Sequence, residues 1–359
     1  MAFLQGIFMK CGGFLAVLAA MMMSGCGSSD RPESRAVESS GPSKPVLIGF
    51  SLGGVRMERW KKDEKYIELR AHELGAKVMG LSANDNADLQ NSQAENLLMQ
   101  GVDVLLVVPQ NAEESSKIVE MAHQAGVKVI AYDRIIQNCA LDYYVSFDNE
   151  KVGEYQARGV IQALDLTRTN HLIYIGGSPV DNNSQQLKKG SMRVLEPLIQ
   201  SGKVVMELET FTDDWSLQKA YLDTQDFLRK GLPLHGVVAA NDALAAGVLQ
   251  ALQEHGLAGI PVSGQDAELS ACQRVVQGTQ TLTVYKPLQS LAHMAVDMAV
   301  KVARNEPMAP NAVVNNGFQD VPSFLLGSIP VFRTNLNETV IQDGFHSYEA
   351  VFGTPPSKP

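Results

Sequence analysis

Residues 46–83 read VLIGFSLGGVRMERWKKDEKYIELRAHELGAKVMGLSA. An apolar, β-branched run, VLIGFSL, gives way to the longer amphipathic segment ERWKKDEKYIELRAHELG and then to a second short run, AKVMGLSA. The same order continues through DLQNSQAENLLMQG, VDVLLVVP, EESSKIVEMAHQAG, KVIAYD and DYYVSFD. Strands alternating with helices in this way predict a mostly parallel sheet with helices on both faces. The pattern then starts again with NEKVGEYQARGVIQAL, HLIYIGG, QQLKKGSMRVLEPLIQSG, KVVMELETF, SLQKAYLDTQDFLRKG, HGVVAAND, LAAGVLQALQEHG, IPVSGQD and AELSACQRVVQG. The expected fold class is therefore α/β, with two doubly wound parallel-sheet lobes.

Composition agrees with two cores. The 359 residues are 45% hydrophobic, enough for two folded lobes and too apolar for a disordered chain. A formal net charge of −9 and the absence of any Lys/Arg block argue against a nucleic-acid partner.

Residues 1–25 are of another kind. Met9-Lys10 precedes the apolar run CGGFLAVLAAMMM, which is too short to span a bilayer as a stable helix and reads as a secretory signal. Ser24 and Gly25 before Cys26 resemble a bacterial lipobox, with Met23 where Leu is usual, and that resemblance implies lipidation of Cys26 and a membrane anchor. Residues 26–44, rich in Ser, Pro and charge, lack apolar periodicity and are expected to be a flexible tether. Cys139 and Cys272, far apart in sequence, are expected to be two buried thiols.

In open parallel sheets, ligands bind outside the carboxyl ends of the strands. Those ends hold GGVRMERW after the first strand, Asp133-Arg134, SPVDNNS, DDW, Asn241-Asp242, Gln265-Asp266 and Lys286. Caps and solvated turns account for polar loop ends singly, but not for this collection. A mixture of Arg, Asp, Asn, Lys and Trp suits a polyhydroxylated neutral ligand. Each sugar hydroxyl donates to a carboxylate or amide oxygen and accepts from Arg, Lys or amide NH₂, while flat rings cover its C–H faces. Trp60 and Trp215, the only tryptophans, each fall near a strand end, in different lobes, and are expected to sandwich a pyranose ring. Holding a pentose of about ten heavy atoms at micromolar affinity needs about −8 kcal/mol, so the ligand must be enclosed and nearly every polar atom paired.

Enzyme motifs are missing. The chain has no G-x-S-x-G, G-x-x-x-x-G-K-[ST], G-x-G-x-x-G, C-x-x-C or H-E-x-x-H. GGSPV at 176–180 has Val180 where a nucleophile elbow needs its second glycine, and the seven histidines show no metal-ligand spacing. No catalytic residue, metal or cofactor is expected.

RMERWKKD, LSANDN, AYDRII, YVSFDNEKVGE, GGSPVDNN, the NDA of AANDALAAG, SGQDAELS, GTQTLTVYKP and VIQDGFH carry a specific resemblance. From about Val46 to Phe345 the chain resembles the type I sugar-binding family of periplasmic binding proteins that serve bacterial ABC transporters. RMERW, SPVDNN and TVYKP resemble its D-xylose branch in particular. The resemblance implies that Arg59, Asp133 and Arg134 from the first lobe contact the sugar, with Asn183, Asn241 and Asp266 from the second and Lys286 at a crossover. It implies that Trp215 stacks on the ring with Trp60 as its partner, and that Asp181 contacts the sugar or orients its own loop. It further implies a three-segment hinge with crossovers near residues 148–153, 284–287 and 321–326. The N-terminal lobe would hold residues 45–150 and 286–323, and the C-terminal lobe residues 151–285 and 324–352. The function so implied is capture of D-xylose or a related monosaccharide by a monomeric, periplasmic or cell-surface lipoprotein that delivers it to an ABC permease with its ATPase. A sugar-sensing module docking on a sensor kinase or chemoreceptor would use the same pocket.

Overall fold

In the computed structural model, which describes residues 44–54 and 59–353, the alternation of strands and helices is present from Leu47 onward. The expected signal, the tether up to residue 43 and Cys26 lie outside the described residues. The chain runs β1 (Leu47–Leu52), α1 (Arg59–Glu73), β2 (Lys77–Ser82), α2 (Ala87–Met99), β3 (Val104–Val108), α3 (Ser116–Gln124), β4 (Lys128–Tyr132) and β5 (Tyr143–Phe147). There follow α4 (Asn149–Gln162), β6 (Asn170–Gly176), α5 (Asn182–Gln200), β7 (Val204–Phe211), α6 (Leu217–Leu228), β8 (Gly236–Ala239), α7 (Asp242–Glu254) and α8 (Leu269–Gln277). The last elements are β9 (Thr283–Tyr285), α9 (Leu288–Ala303), β10 (Ala312–Asn315), β11 (Asp320–Leu326), β12 (Ile329–Val331) and α10 (Tyr348–Phe352).

Seven strands form one sheet in the order β10-β11-β5-β4-β3-β1-β2, parallel except for the β10–β11 pair. A second parallel sheet has the order β7-β6-β8, and β9 pairs with β12 antiparallel. Buried on both faces, β3 reads VLLVV without a polar residue. Val104, Leu106 and Val108 join the core under α1 and α9, whereas Leu105 and Val107 face α2 and α3. Each such side chain contributes about 1.5–3 kcal/mol by burial, and Leu106→Ala is of the kind that costs about 2–5 kcal/mol.

Three segments link the lobes. The chain leaves the large sheet after Phe147, returns between β9 and α9, and leaves again between β11 and β12. Because Leu326 still pairs with Phe147, β11 stays in the large sheet beyond the expected boundary at residue 323. The expected strand IPVSGQD shrinks to a single bridge, Val237 to Val262. Pro261 has no N–H for a ladder, and the backbone turns left-handed at Asp266. Cys139 and Cys272 are both buried free thiols.

Helices α4 and α5 cross closely because two glycines face the neighbouring backbone. A β-carbon at Gly153 would fall 2.0 Å from the Leu187 carbonyl oxygen, and one at Gly190 would fall 1.9 Å from that of Glu150. This contact sets α5, whose first turn carries Asn183, against the segment that follows β5.

Candidate functional site

Strand β1 lies between β2 and β3, and β6 lies between β7 and β8, so each sheet has a topological switch point. The expected site residues cluster at the carboxyl ends of these strands. Arg59 and Trp60 open α1, Asp133 and Arg134 follow β4, and Asp181 is the N-cap of α5 after β6. Trp215 lies in a short 3₁₀ turn (Asp213–Trp215) after β7, and Lys286 directly follows β9.

Two cavities share Arg134 and Trp215. The inner one is small and is lined by Arg59, Asp133, Arg134, Asp181, Asn183, Trp215, Gln265, Asp266 and Lys286. The outer one adds Gly54, Trp60, Asp85, Gln110, Ser178 and Asp214. A larger groove lies between the C-terminal end of α7 and α8; Arg274 is its single charged residue and it holds no carboxylate to set against that charge.

The inner cavity sets three cations, Arg59, Arg134 and Lys286, against three carboxylates, Asp133, Asp181 and Asp266. Arg59 donates from Nε to Asp63 Oδ2 at 3.3 Å, and its Nη1 lies 3.6 Å from Asp266 Oδ1. Its Nη2 forms a buried ion pair with Asp133 Oδ1 at 2.8 Å. Gln265 Oε1 is buried without a hydrogen bond. A buried polar atom of this kind requires a partner. With charges of both signs converging on one cavity, it points to a ligand that both donates and accepts.

Asn183 donates from Nδ2 to the Asp133 carbonyl at 3.1 Å and to its Oδ2 at 3.2 Å, while Asn149 donates to Asn183 Oδ1 at 3.0 Å. Asp181 accepts from the backbone N–H of Asn183 at 2.9 Å, and its Oδ2 receives both Arg134 Nε at 2.8 Å and Trp215 Nε1 at 3.1 Å. It thus orients its own loop and the indole together.

Burial raises the Asp133 carboxyl, but Arg59, Lys286 and Arg134 outweigh it and hold the group below its ordinary range. For Asp181 burial wins over Arg134, and the carboxyl is pushed up. Burial lowers the Lys286 ammonium against the pull of Asp133 and Asp266. Burial also disfavours the charged Arg59, but Asp133, Asp63 and Asp266 more than offset it and keep the guanidinium charged.

The chain is bent to present these groups. Asp133, Asp214, Trp215, Asp266 and Ala267 have φ of +62°, +49°, +57°, +92° and +50°. Left-handed backbone at a non-glycine residue costs on the order of 1–3 kcal/mol and persists where surrounding contacts enforce it. At Asp133 they do: its carbonyl accepts from Tyr144 Oη at 3.0 Å and Ser146 Oγ at 2.6 Å.

Trp215 lies flat against Gly177, where an added β-carbon would fall 2.4 Å from three indole atoms. Trp60 does not line the inner cavity. Its ring carries the Arg59 guanidinium 4.5 Å and the Arg134 guanidinium 5.5 Å from its centroid, and it borders the outer cavity with Trp215. Asn241 lines neither cavity; its side-chain oxygen accepts from Leu244 N at 2.9 Å and caps α7. Gln265, Ser178 and Asp214 belong to the strand ends Gln265-Asp266, SPVDNNS and DDW picked out from the sequence but were not assigned as contacts there. Gln110 was missed, since an isolated polar loop residue carries no pattern.

A two-lobed α/β protein that encloses a small, charge-balanced polar cavity at the strand ends is a solute-binding protein by architecture. The chain belongs to the periplasmic binding protein family: residues 48–307 match the model described as periplasmic binding protein domain. It is 45% identical to the D-xylose-binding periplasmic protein of Haemophilus influenzae over 316 residues, 88% of this chain and 94% of that protein. It is 43% identical to the D-xylose-binding periplasmic protein of Escherichia coli over 306 residues, 85% and 92% of the two chains. Among solved structures, a carbohydrate transporter solute-binding protein from Chloroflexus aurantiacus in complex with D-glucose superposes with a TM-score of 0.81 at 25% identity. That match covers 87% of this chain and 100% of the other.

Proposed function

We propose that the chain captures D-xylose, or a closely related aldose, between its lobes and delivers it to an ABC permease with its ATPase. One observation carries this reading: three cations and three carboxylates from both lobes converge on one small cavity, with Gln265 Oε1 buried beside it without a hydrogen bond. Such a set suits a neutral polyol. A phosphate or a sugar acid would bring a charge that nothing there offsets.

In this reading Asp133 and Asp266 accept protons of sugar hydroxyls, while Arg59, Arg134 and Lys286 donate to their lone pairs. Asn183 and Gln265 pair further hydroxyls. Trp215, backed by Gly177, offers its free face to the ring C–H groups, and Trp60 supports the two guanidiniums from the outer side. Asp181 orients Arg134 and Trp215. Lobe closure about the three linking segments is driven by the ligand's contacts with both faces. The 43–45% identity to proteins named for D-xylose supports the choice of sugar.

The protein acts by binding alone, as a periplasmic monomer tethered through a lipid on Cys26, with residues 45–150 plus 286–326 and residues 151–285 plus 327–352 as its lobes. Calorimetric titration with D-xylose, ribose, arabinose, glucose and galactose tests the reading. Tight binding of D-xylose is expected; no heat from D-xylose beside tight binding of another sugar would refute the choice of ligand. Cys26→Ala is expected to move the chain from the membrane to the soluble fraction.

A further inference from the structure

Three carboxylates surround Arg59, and one of them, Asp63, does not line the cavity. Asp63 sits one turn further along α1, on the same face, and its Oδ2 accepts from Arg59 Nε at 3.3 Å. Its Oδ1 accepts a short hydrogen bond from the Tyr132 hydroxyl. Both Asp63 and Tyr132 are wholly buried, and Tyr132 is the last residue of β4, immediately before Asp133.

A guanidinium is planar with its N–H groups in a fixed fork, so fixing the direction of Nε fixes the plane of the whole group. With Nε on Asp63, Nη1 points toward Asp266 and Nη2 toward Asp133, both at the cavity wall. Without an acceptor on Nε the fork could rotate and chelate Asp133 with two bonds, which would take both groups away from a ligand. We propose that Asp63, braced by Tyr132, is the positioning residue for Arg59, and that sugar affinity follows the charge on its carboxylate. The inference rests on the sugar-binding reading above.

The titratable and charged groups facing Asp63 are Arg59 and Tyr66 on α1 and Tyr132 and Asp133 at the end of β4. Burial pushes the Asp63 carboxyl up to about 6, against the opposing pull of Arg59 and the Tyr132 bond. The brace is therefore charged at pH 7.5 and largely neutral at pH 5.

D-xylose affinity measured by calorimetry between pH 5 and 8, for the chain, Asp63→Asn and Tyr132→Phe, tests this. The unaltered chain is expected to lose about tenfold in affinity as pH falls through 6, the scale of one charge-assisted hydrogen bond. Asp63→Asn is expected to bind about tenfold more weakly already at pH 7.5 and to lose that step, keeping only the dependence due to Asp181. Tyr132→Phe removes a bond that stabilises the carboxylate, so its midpoint should move upward. Asp63→Asn with the affinity and profile of the unaltered chain would overturn the proposal, as would an unmoved midpoint in Tyr132→Phe, which decides the matter if Asp63→Asn does not fold. Failure of the unaltered chain to bind D-xylose at any pH would instead sink the sugar reading beneath it.

Discussion

Arg134 and Asp181 meet from opposite lobes, Nε to Oδ2 at 2.8 Å, and the same Asp181 oxygen receives the indole N–H of Trp215 at 3.1 Å. One carboxylate thereby ties a cation of the first lobe to the aromatic platform of the second. Asp181→Asn keeps the cap on α5, since Asn caps as well as Asp, and removes only the charge. D-xylose affinity is expected to fall at least tenfold, while the melting temperature of the ligand-free protein should change little or rise, because burial already disfavours the Asp181 charge. A titration and a melt read the two effects separately; a markedly lowered melt would mean that the charge itself holds the empty fold together.

Gly177→Ala leaves every polar group of the cavity in place. Its new methyl group would collide with the indole at 2.4 Å and push Trp215 toward the sugar. Binding is expected to weaken by about tenfold or more, in line with the loss of an aromatic contact and some cavity volume. Intrinsic fluorescence of the ligand-free variant should differ from that of the parent; identical spectra with identical affinity would show that the ring does not depend on Gly177.

Lys286 is nearly inaccessible, 2% exposed, and burial lowers its pKa despite Asp133 and Asp266. The ammonium therefore weighs against the empty fold. Lys286→Met, similar in length and apolar, is expected to raise the melting temperature of the ligand-free protein while abolishing detectable D-xylose binding. A lowered melting temperature would identify Lys286 as a structural counter-ion instead.

Charge balance in the inner cavity predicts selectivity against charged sugars. D-xylonate, which adds a carboxylate to three already present, is expected to bind at least about a hundredfold more weakly than D-xylose. Competition calorimetry measures the ratio directly; comparable affinity would count against the neutral-ligand reading.

The fold was legible because β3 is unbroken VLLVV and because strands and amphipathic helices alternate along both lobes. IPVSGQD misled because its apolar pair looks like a strand, whereas Pro261 and the left-handed turn at Asp266 permit only one bridge. The strand-end carboxylates and cations were legible for a physical reason: Asp133 and Arg134 after β4, and Lys286 after β9, are charges placed directly after buried strands. What could not be read was which face each side chain turns to. Asn241 caps α7 through its side-chain oxygen, and Trp60 lies under two guanidiniums, because both depend on rotamers and on packing between distant segments. Asp63, read from the sequence with Lys61, Lys62 and Glu64 as a solvated first turn, is instead wholly buried, since only the tertiary fold places it beside Tyr132.

Gln137 donates to Asn182 at 3.0 Å, and Ala112 N–H donates to the Val180 carbonyl at 3.1 Å, each contact joining the two lobes away from both cavities. These bonds add the same increment to the closed state whichever sugar is inside. Strength of retention and choice of cargo are thereby assigned to different residues. Changing the lip should slow or speed release of all sugars alike, whereas changing the lining should reorder them, so the two properties are free to evolve independently.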